Sequence, residues 1–149
     1  MNSNLQNDMA CLVDSLEFFK DDIPQRTQAL EHLADMCLQD KGSILFNKTN
    51  GLATVFKIAF NKNTPQVVVQ KALLTLGNAC LKSDENKGIL WSEQVLQFLH
   101  DILLSKDQSV KIIASTTYFL ACLCSNNDIT TQKETKKILK LKNGLTKLI

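Results

Sequence analysis

The sequence has few residues that interrupt helices and little net charge of either sign. Its 149 residues include only five glycines and two prolines. Seventeen basic and fifteen acidic side chains leave a formal net charge of +2, too small to predict nucleic-acid or membrane binding by the whole chain. With 44% hydrophobic and 21% charged residues, the composition is typical of a folded globular domain and not of a disordered chain.

Long apolar runs and disulfide patterns are also missing. The longest run without charge, residues 112–127, contains Ser115, Thr116 and Thr117 and is shorter than the roughly 20 apolar residues of a membrane-spanning helix. The five cysteines are an odd number, and no secretory segment with basic and apolar regions stands at the N-terminus. We therefore expect an intracellular protein in a reducing compartment, with no membrane insertion.

Catalytic and metal-binding motifs are absent from the sequence. The two histidines, His32 and His100, stand far apart, and no phosphate-binding glycine loop, nucleophile elbow or HExxH motif occurs. The zinc-type spacing of two cysteines separated by two residues does not occur either. The sequence predicts a protein without enzyme activity, cofactor or metal.

A repeat with a period of about 42 residues runs through the chain. Apolar residues recur three and four apart, as in Leu96, Leu99 and Leu103, which predicts helices. Three segments share a small residue, an apolar residue four positions later and a cysteine eight positions later: Ala29–Cys37, Ala72–Cys80 and Ala114–Cys122. The simplest interpretation of Cys37, Cys80 and Cys122 is that they are small buried hydrophobic residues at the seams between repeats.

The segments between the motifs repeat in the same phase. An amphipathic stretch precedes each motif, at 5–20, 52–61 and 95–105. Pro24 and Pro65 suit the first turn of a helix, and Asp107 is the candidate N-cap in the third copy. Residues 41–47 and 84–91 are long enough for short linking helices.

These signals predict an all-α fold in which armadillo-like repeats stack into a right-handed α-solenoid. The expected repeats span approximately 1–47, 48–91 and 92–142. Residues 143–149 match the opening of the second repeat at Asn50-Gly51-Leu52. Because natural arrays close with a capping repeat, this ending predicts either a fragment of a longer solenoid, which we favour, or a truncated product.

Short strings in the second repeat carry a resemblance to known families. The string Ala72-Leu-Leu-Thr-Leu-Gly-Asn78, with Asn50-Gly51-Leu52 before it and Asp84-Glu-Asn-Lys87 after it, resembles an armadillo repeat. Together with Ser125-Asn126-Asn127, it is similar to the N-terminal armadillo region of the telomere repeats-binding bouquet formation family. That resemblance implies a nuclear scaffold that attaches chromosome ends to the inner nuclear membrane through telomere and nuclear-envelope proteins. The family's Myb-like module has no counterpart here, so direct binding of nucleic acid is not implied.

One helix face on each motif segment is the candidate binding surface for a protein partner. By resemblance to armadillo proteins, the residues two before, two after and six after the motif alanine line a concave groove: Thr27, Glu31, Asp35, Gln70, Leu74, Asn78, Ile112, Thr116 and Leu120. We name these residues the stripe. Its acidic end could attract a basic partner, although its members could equally face solvent or pack beneath further repeats.

Two alternatives to a specific groove partner stay open. The chain could be a general armadillo adaptor in the cytoplasm or nucleus. It could also be a nucleic-acid-associated module that uses a basic face near its end, formed by Lys133, Lys136, Lys137 and Lys140.

Overall fold

A computed structural model describes residues 2–125, and this part of the chain contains eight α-helices and no strand. The helices are α1 (Asn2–Phe18), α2 (Ile23–Cys37), α3 (Gly42–Lys48), α4 (Gly51–Ala59), α5 (Gln66–Leu81), α6 (Asp84–Leu90), α7 (Glu93–Leu104) and α8 (Val110–Cys124). The all-α prediction is therefore confirmed for these residues. The predicted basic face at Lys133, Lys136, Lys137 and Lys140 and the predicted repeat start at 143–149 lie outside them.

Polar side chains cap the N-termini of α2, α6, α7 and α8. At α2, Asp22 accepts a hydrogen bond from the backbone N–H of Gln25 at 3.1 Å, and Pro24 stands in the first turn as predicted. The predicted cap Asp107 is wrong. Ser109 instead accepts a backbone hydrogen bond from the first turn of α8 at 3.2 Å, because it is the residue directly before that helix.

The linking segments also form helices. The predicted short helices at 41–47 and 84–91 correspond to α3 and α6, and the amphipathic stretches before the motifs correspond to α1, α4 and α7. The helix α3 follows Lys41, which has a left-handed φ of 62°. A side chain on Gly42 would collide with the carbonyl oxygen of Met36, so this tight junction between α2 and α3 requires glycine.

The three helices that carry the repeated motif pack side by side in chain order. Helix α2 packs against α5, and α5 packs against α8. Each of α1, α4 and α7 packs against the motif helix that follows it, and the short helices α3 and α6 touch one another. Within residues 2–125, α5 is thus the only motif helix with motif helices on both sides.

The core is densest around α5. All residues from Thr75 to Cys80 are buried without interruption, because neighbouring helices cover this helix on several sides. The motif's apolar residues Leu33 and Leu76 are fully buried, and Leu52 and Val55 of α4 pack into the same cluster. Burial of such side chains is the main stabilising contribution to a helical fold of this kind.

Candidate partner-binding surface

The α2 part of the stripe is the most accessible. Glu31 and Asp35 are exposed, and Thr27 is partly buried. The Glu31 carboxylate forms an ion pair with the ammonium group of Lys71 on α5 at 3.1 Å. Within the described residues, the Asp35 carboxylate has no ion pair, so Asp35 is the acid that is freer to meet a cationic group.

The α5 part of the stripe divides into a surface and an internal portion. Gln70 and Leu74 are partly exposed, whereas Asn78 is buried. The Asn78 amide donates a hydrogen bond to the carbonyl oxygen of Ala34 at 2.9 Å, and its own oxygen accepts one from the Tyr118 hydroxyl. Both polar atoms of Asn78 are engaged inside the protein, so its role in the structure is to join helices.

The α8 part of the stripe is mostly internal. Ile112 and Thr116 are buried, at 2% and 0% exposure, and Leu120 is partly buried. The Thr116 hydroxyl donates to the carbonyl oxygen of Ile112 at 2.7 Å. Ile112 and Thr116 therefore belong to the interior and not to an open surface. The exposed positions stand one residue later, at Ile113, Thr117 and Ala121.

This shift by one residue has a physical cause in the side chains of α8. Phe119 is its largest fully buried side chain, and burying it together with Ile112, Thr116 and Leu123 gives a continuous stripe at spacings of four, three and four. The motif alignment would instead bury Ala114, which is exposed. Alanine loses little when exposed, so the bulky residues decide the rotation of the helix. The position of Phe119 was the sequence signal that could have revealed the shift.

The three motif cysteines are buried, as the repeat predicts. Burial raises the pKa of the Cys37 thiol to about 12 and raises that of Cys80 further. Burial also raises the pKa of the Cys122 thiol. In the part of the chain that the structure describes, no three His, Cys, Asp or Glu side chains are grouped so that they could hold a metal ion.

Sequence reasoning missed two buried polar residues on α6. The Asn86 amide donates to the carbonyl oxygens of Ser43 at 3.0 Å and Ala79 at 2.9 Å, which fastens α6 to α3 and α5. The Lys87 ammonium donates to the carbonyl oxygen of Ser125, directly after α8. Consecutive polar residues carry no apolar periodicity, so nothing in the string predicts their burial.

Comparison with known proteins supports the fold and nothing more specific. No family model and no curated protein matches this chain. The crystal structure of an engineered protein from the Northeast Structural Genomics Consortium is similar, with a TM-score of 0.72 and 20% identity over 88% of this chain. The chain spans about half of that protein, 51% of its length. Among the described residues, no helix is long and apolar enough to cross a membrane.

Proposed function

We propose that this chain is a non-catalytic scaffold, an armadillo-like right-handed α-solenoid that binds a protein partner along the exposed sides of α2, α5 and α8. The observation that carries this proposal is the packing of the three motif helices in chain order. The burial pattern of α2, with Leu30, Leu33 and Cys37 inside, recurs in α5 at Leu73, Leu76 and Cys80. Such a recurring pattern is what stacked repeats require.

The chemistry of the exposed positions favours a partner with both basic and apolar groups. The α2 end carries Glu31 and Asp35, whereas the α8 end carries Ile113 and Ala121. Leu74, partly exposed on α5, lies between these ends in chain order. Complementary charge speeds encounter and fixes the register of binding, and apolar contacts supply affinity.

Charge reversal at the acidic end tests the proposal. A partner is first recovered by proximity labelling with the intact protein, and its affinity is then measured by titration. We expect Glu31→Lys with Asp35→Lys to weaken binding several-fold, since exposed ion pairs contribute about 0.2–1 kcal/mol each. The association rate should fall further than the affinity does.

A matched control variant carries the same change of charge elsewhere. Asp40→Lys with Asp107→Lys reverses two exposed acids outside the stripe. This variant should bind the partner normally. Equal loss in both variants would show that overall charge, and not the stripe, governs binding.

Neutralising Lys133, Lys136, Lys137 and Lys140 tests the alternative function. If binding is lost in this variant and falls steeply with salt, while the acidic variant binds normally, the basic face is the functional surface. We expect the lysine variant to keep its protein partner.

The proposed cellular setting is the attachment of chromosome ends to the inner nuclear membrane. Its support is the resemblance of the Gly51-Leu52 and Ala72–Asn78 strings to the telomere bouquet family. In meiotic cells, the tagged intact protein should then lie at chromosome ends beside nuclear-envelope proteins. A uniform cytoplasmic distribution would instead favour a general adaptor.

A further inference from the structure

A cavity of about 380 Å³ opens between α1, the N-terminal part of α2, and α4. None of the stripe residues lines it. Its walls carry charges of both signs, from Arg26 and Lys57 on one hand and Asp14 and Glu17 on the other. A volume of this size falls within the range that holds small ligands.

Arg26, the single arginine of the sequence, lacks a partner in this cavity. Its Nε is buried and donates no hydrogen bond within residues 2–125. The carboxylates of Glu17 and Asp21 attract the guanidinium electrostatically, but none of the described acids forms an ion pair with it. A buried N–H without a partner is costly, so the Nε–H of this partly buried side chain is positioned to donate to an anionic ligand.

The rest of the lining offers acceptors and apolar surface. The hydroxyls of Thr54 and Thr64 donate to backbone carbonyls at 2.8 and 2.7 Å, which leaves their oxygens free to accept hydrogen bonds. Asp14 and Glu17 add acceptors, and the buried side chains of Val13 and Ile58 also line the cavity. The cavity thus combines a guanidinium for an anion, acceptors for N–H groups and room for aliphatic carbon.

We propose that this cavity binds an α-carboxylate that has an adjacent N–H donor, held by the guanidinium of Arg26. The planar fork of arginine matches a carboxylate through two parallel hydrogen bonds. Both a free amino acid and the C-terminus of a peptide present this group. The site does not depend on the proposed scaffold function, because it uses residues outside the stripe.

NMR titration of the ¹⁵N-labelled full chain tests this site with three probes. These are acetyl-Gly-Gly-Val with a free C-terminus, the same peptide as its C-terminal amide, and free valine. We expect the free-acid peptide to shift the Arg26 Nε–H resonance and the backbone resonances of Thr54 and Lys57. The amide should bind about tenfold more weakly or not at all, since it loses a charge-assisted pair of hydrogen bonds. Stronger binding of valine than of the peptide would identify the free amino acid as the source.

Variants separate binding from folding. Arg26→Lys keeps the positive charge but loses the fork, so it should lower affinity about tenfold while the unfolding midpoint stays near that of the wild type. The matched control, Lys48→Gln, removes an exposed charge outside the cavity and should bind normally. Equal affinity for the acid and the amide, unchanged binding by Arg26→Lys, or no shift with any probe would overturn the proposal.

Discussion

The contact between α2 and α5 differs in chemistry from the contact between α5 and α8. In the first, side chains of α5 reach the backbone of α2. The Asn78 amide donates a hydrogen bond to the Ala34 carbonyl oxygen at 2.9 Å. The Thr75 hydroxyl lies 3.0 Å from the Leu30 carbonyl oxygen. The Thr75 proton is shared, because the hydroxyl lies 2.7 Å from the Lys71 carbonyl oxygen of its own helix.

The second contact depends on shape and aromatic rings. A Cβ on Gly77 would lie 2.7 Å from the Tyr118 ring, so the missing side chain lets the two helices approach. Phe119 is fully buried in the same part of the core.

Because the two contacts differ in chemistry, different substitutions destabilise them. A contact made by hydrogen bonds is destabilised when one partner is removed and the other stays buried. A contact made by close packing is destabilised by added volume. Asn78 takes part in both contacts, since its amide bonds to α2 and its oxygen to Tyr118 of α8.

The largest expected effect comes from the apolar core that both contacts share. Leu76→Ala should lower the free energy of unfolding by about 2–5 kcal/mol, because truncation of a fully buried leucine leaves a cavity. The control Val110→Ala, at a residue 83% exposed, should change it by less than about 0.5 kcal/mol. Chemical denaturation measures both. Equal midpoints would contradict the position of α5 at the centre of the fold.

Removing the amide that joins the two contacts should have the next largest effect. Asn78→Leu should destabilise by about 1–3 kcal/mol, because the Ala34 carbonyl oxygen and the Tyr118 hydroxyl lose their partner. Tyr118→Phe removes only the bond to α8 and should cost about 0.5–1.5 kcal/mol. A double-mutant cycle of the two changes should show coupling. Strict additivity would mean that the two side chains do not interact.

Two glycines that lie within helices sharpen the comparison. Gly77→Ala should destabilise by about 1 kcal/mol, since overpacking against Tyr118 exceeds the gain in helix propensity. Gly88→Ala should stabilise by about 0.5–1 kcal/mol, because an added Cβ there meets no atom within 4 Å. Thermal unfolding compares the two variants. If both variants were stabilised, α5 and α8 would not be in close contact at Gly77.

The last effect is confined to alkaline pH. Burial raises the pKa of Cys37 from 9.0 to about 12, so the unfolded chain loses this proton first as the pH rises. The thiol's contribution to stability is therefore complete below about pH 9 and declines between pH 9 and 12. Denaturant titrations at a series of pH values should show this decline. It should be shallower in Cys37→Ala, and an identical slope in the two proteins would contradict the burial.

The sequence allowed the helices, the linking segments and the burial of the cysteines to be predicted, because each depends on local periodicity or on the shared register. The motif alignment gave the wrong rotation for α8, because burial of Phe119 outweighs the position of the motif alanine. The cap at Ser109 differs from the predicted Asp107 because the motif alignment gave only an approximate start for α8.

The stripe residues are accessible on α2 and on part of α5, whereas Ile112 and Thr116 of α8 are buried. Asn78 was placed on the stripe by its spacing, but its amide bonds to two neighbouring helices. Arg26 and its cavity left no motif, because Val13, Arg26 and Ile58 come together only through the packing of α1, α2 and α4. Contacts between distant segments of this kind are not visible in one sequence.

Because Lys87 is buried, the reactivity of its amine reports whether the surrounding structure is closed. Amine-acylating reagents can reach Lys48, Lys62 and Lys111, which are exposed. Lys87 is 2% exposed and is held at the end of α8 by the Ser125 carbonyl oxygen, so its acylation requires α6 to separate from that end. The labelling rate of this one amine therefore measures how often α6 separates from the end of α8, whether by local opening or by global unfolding.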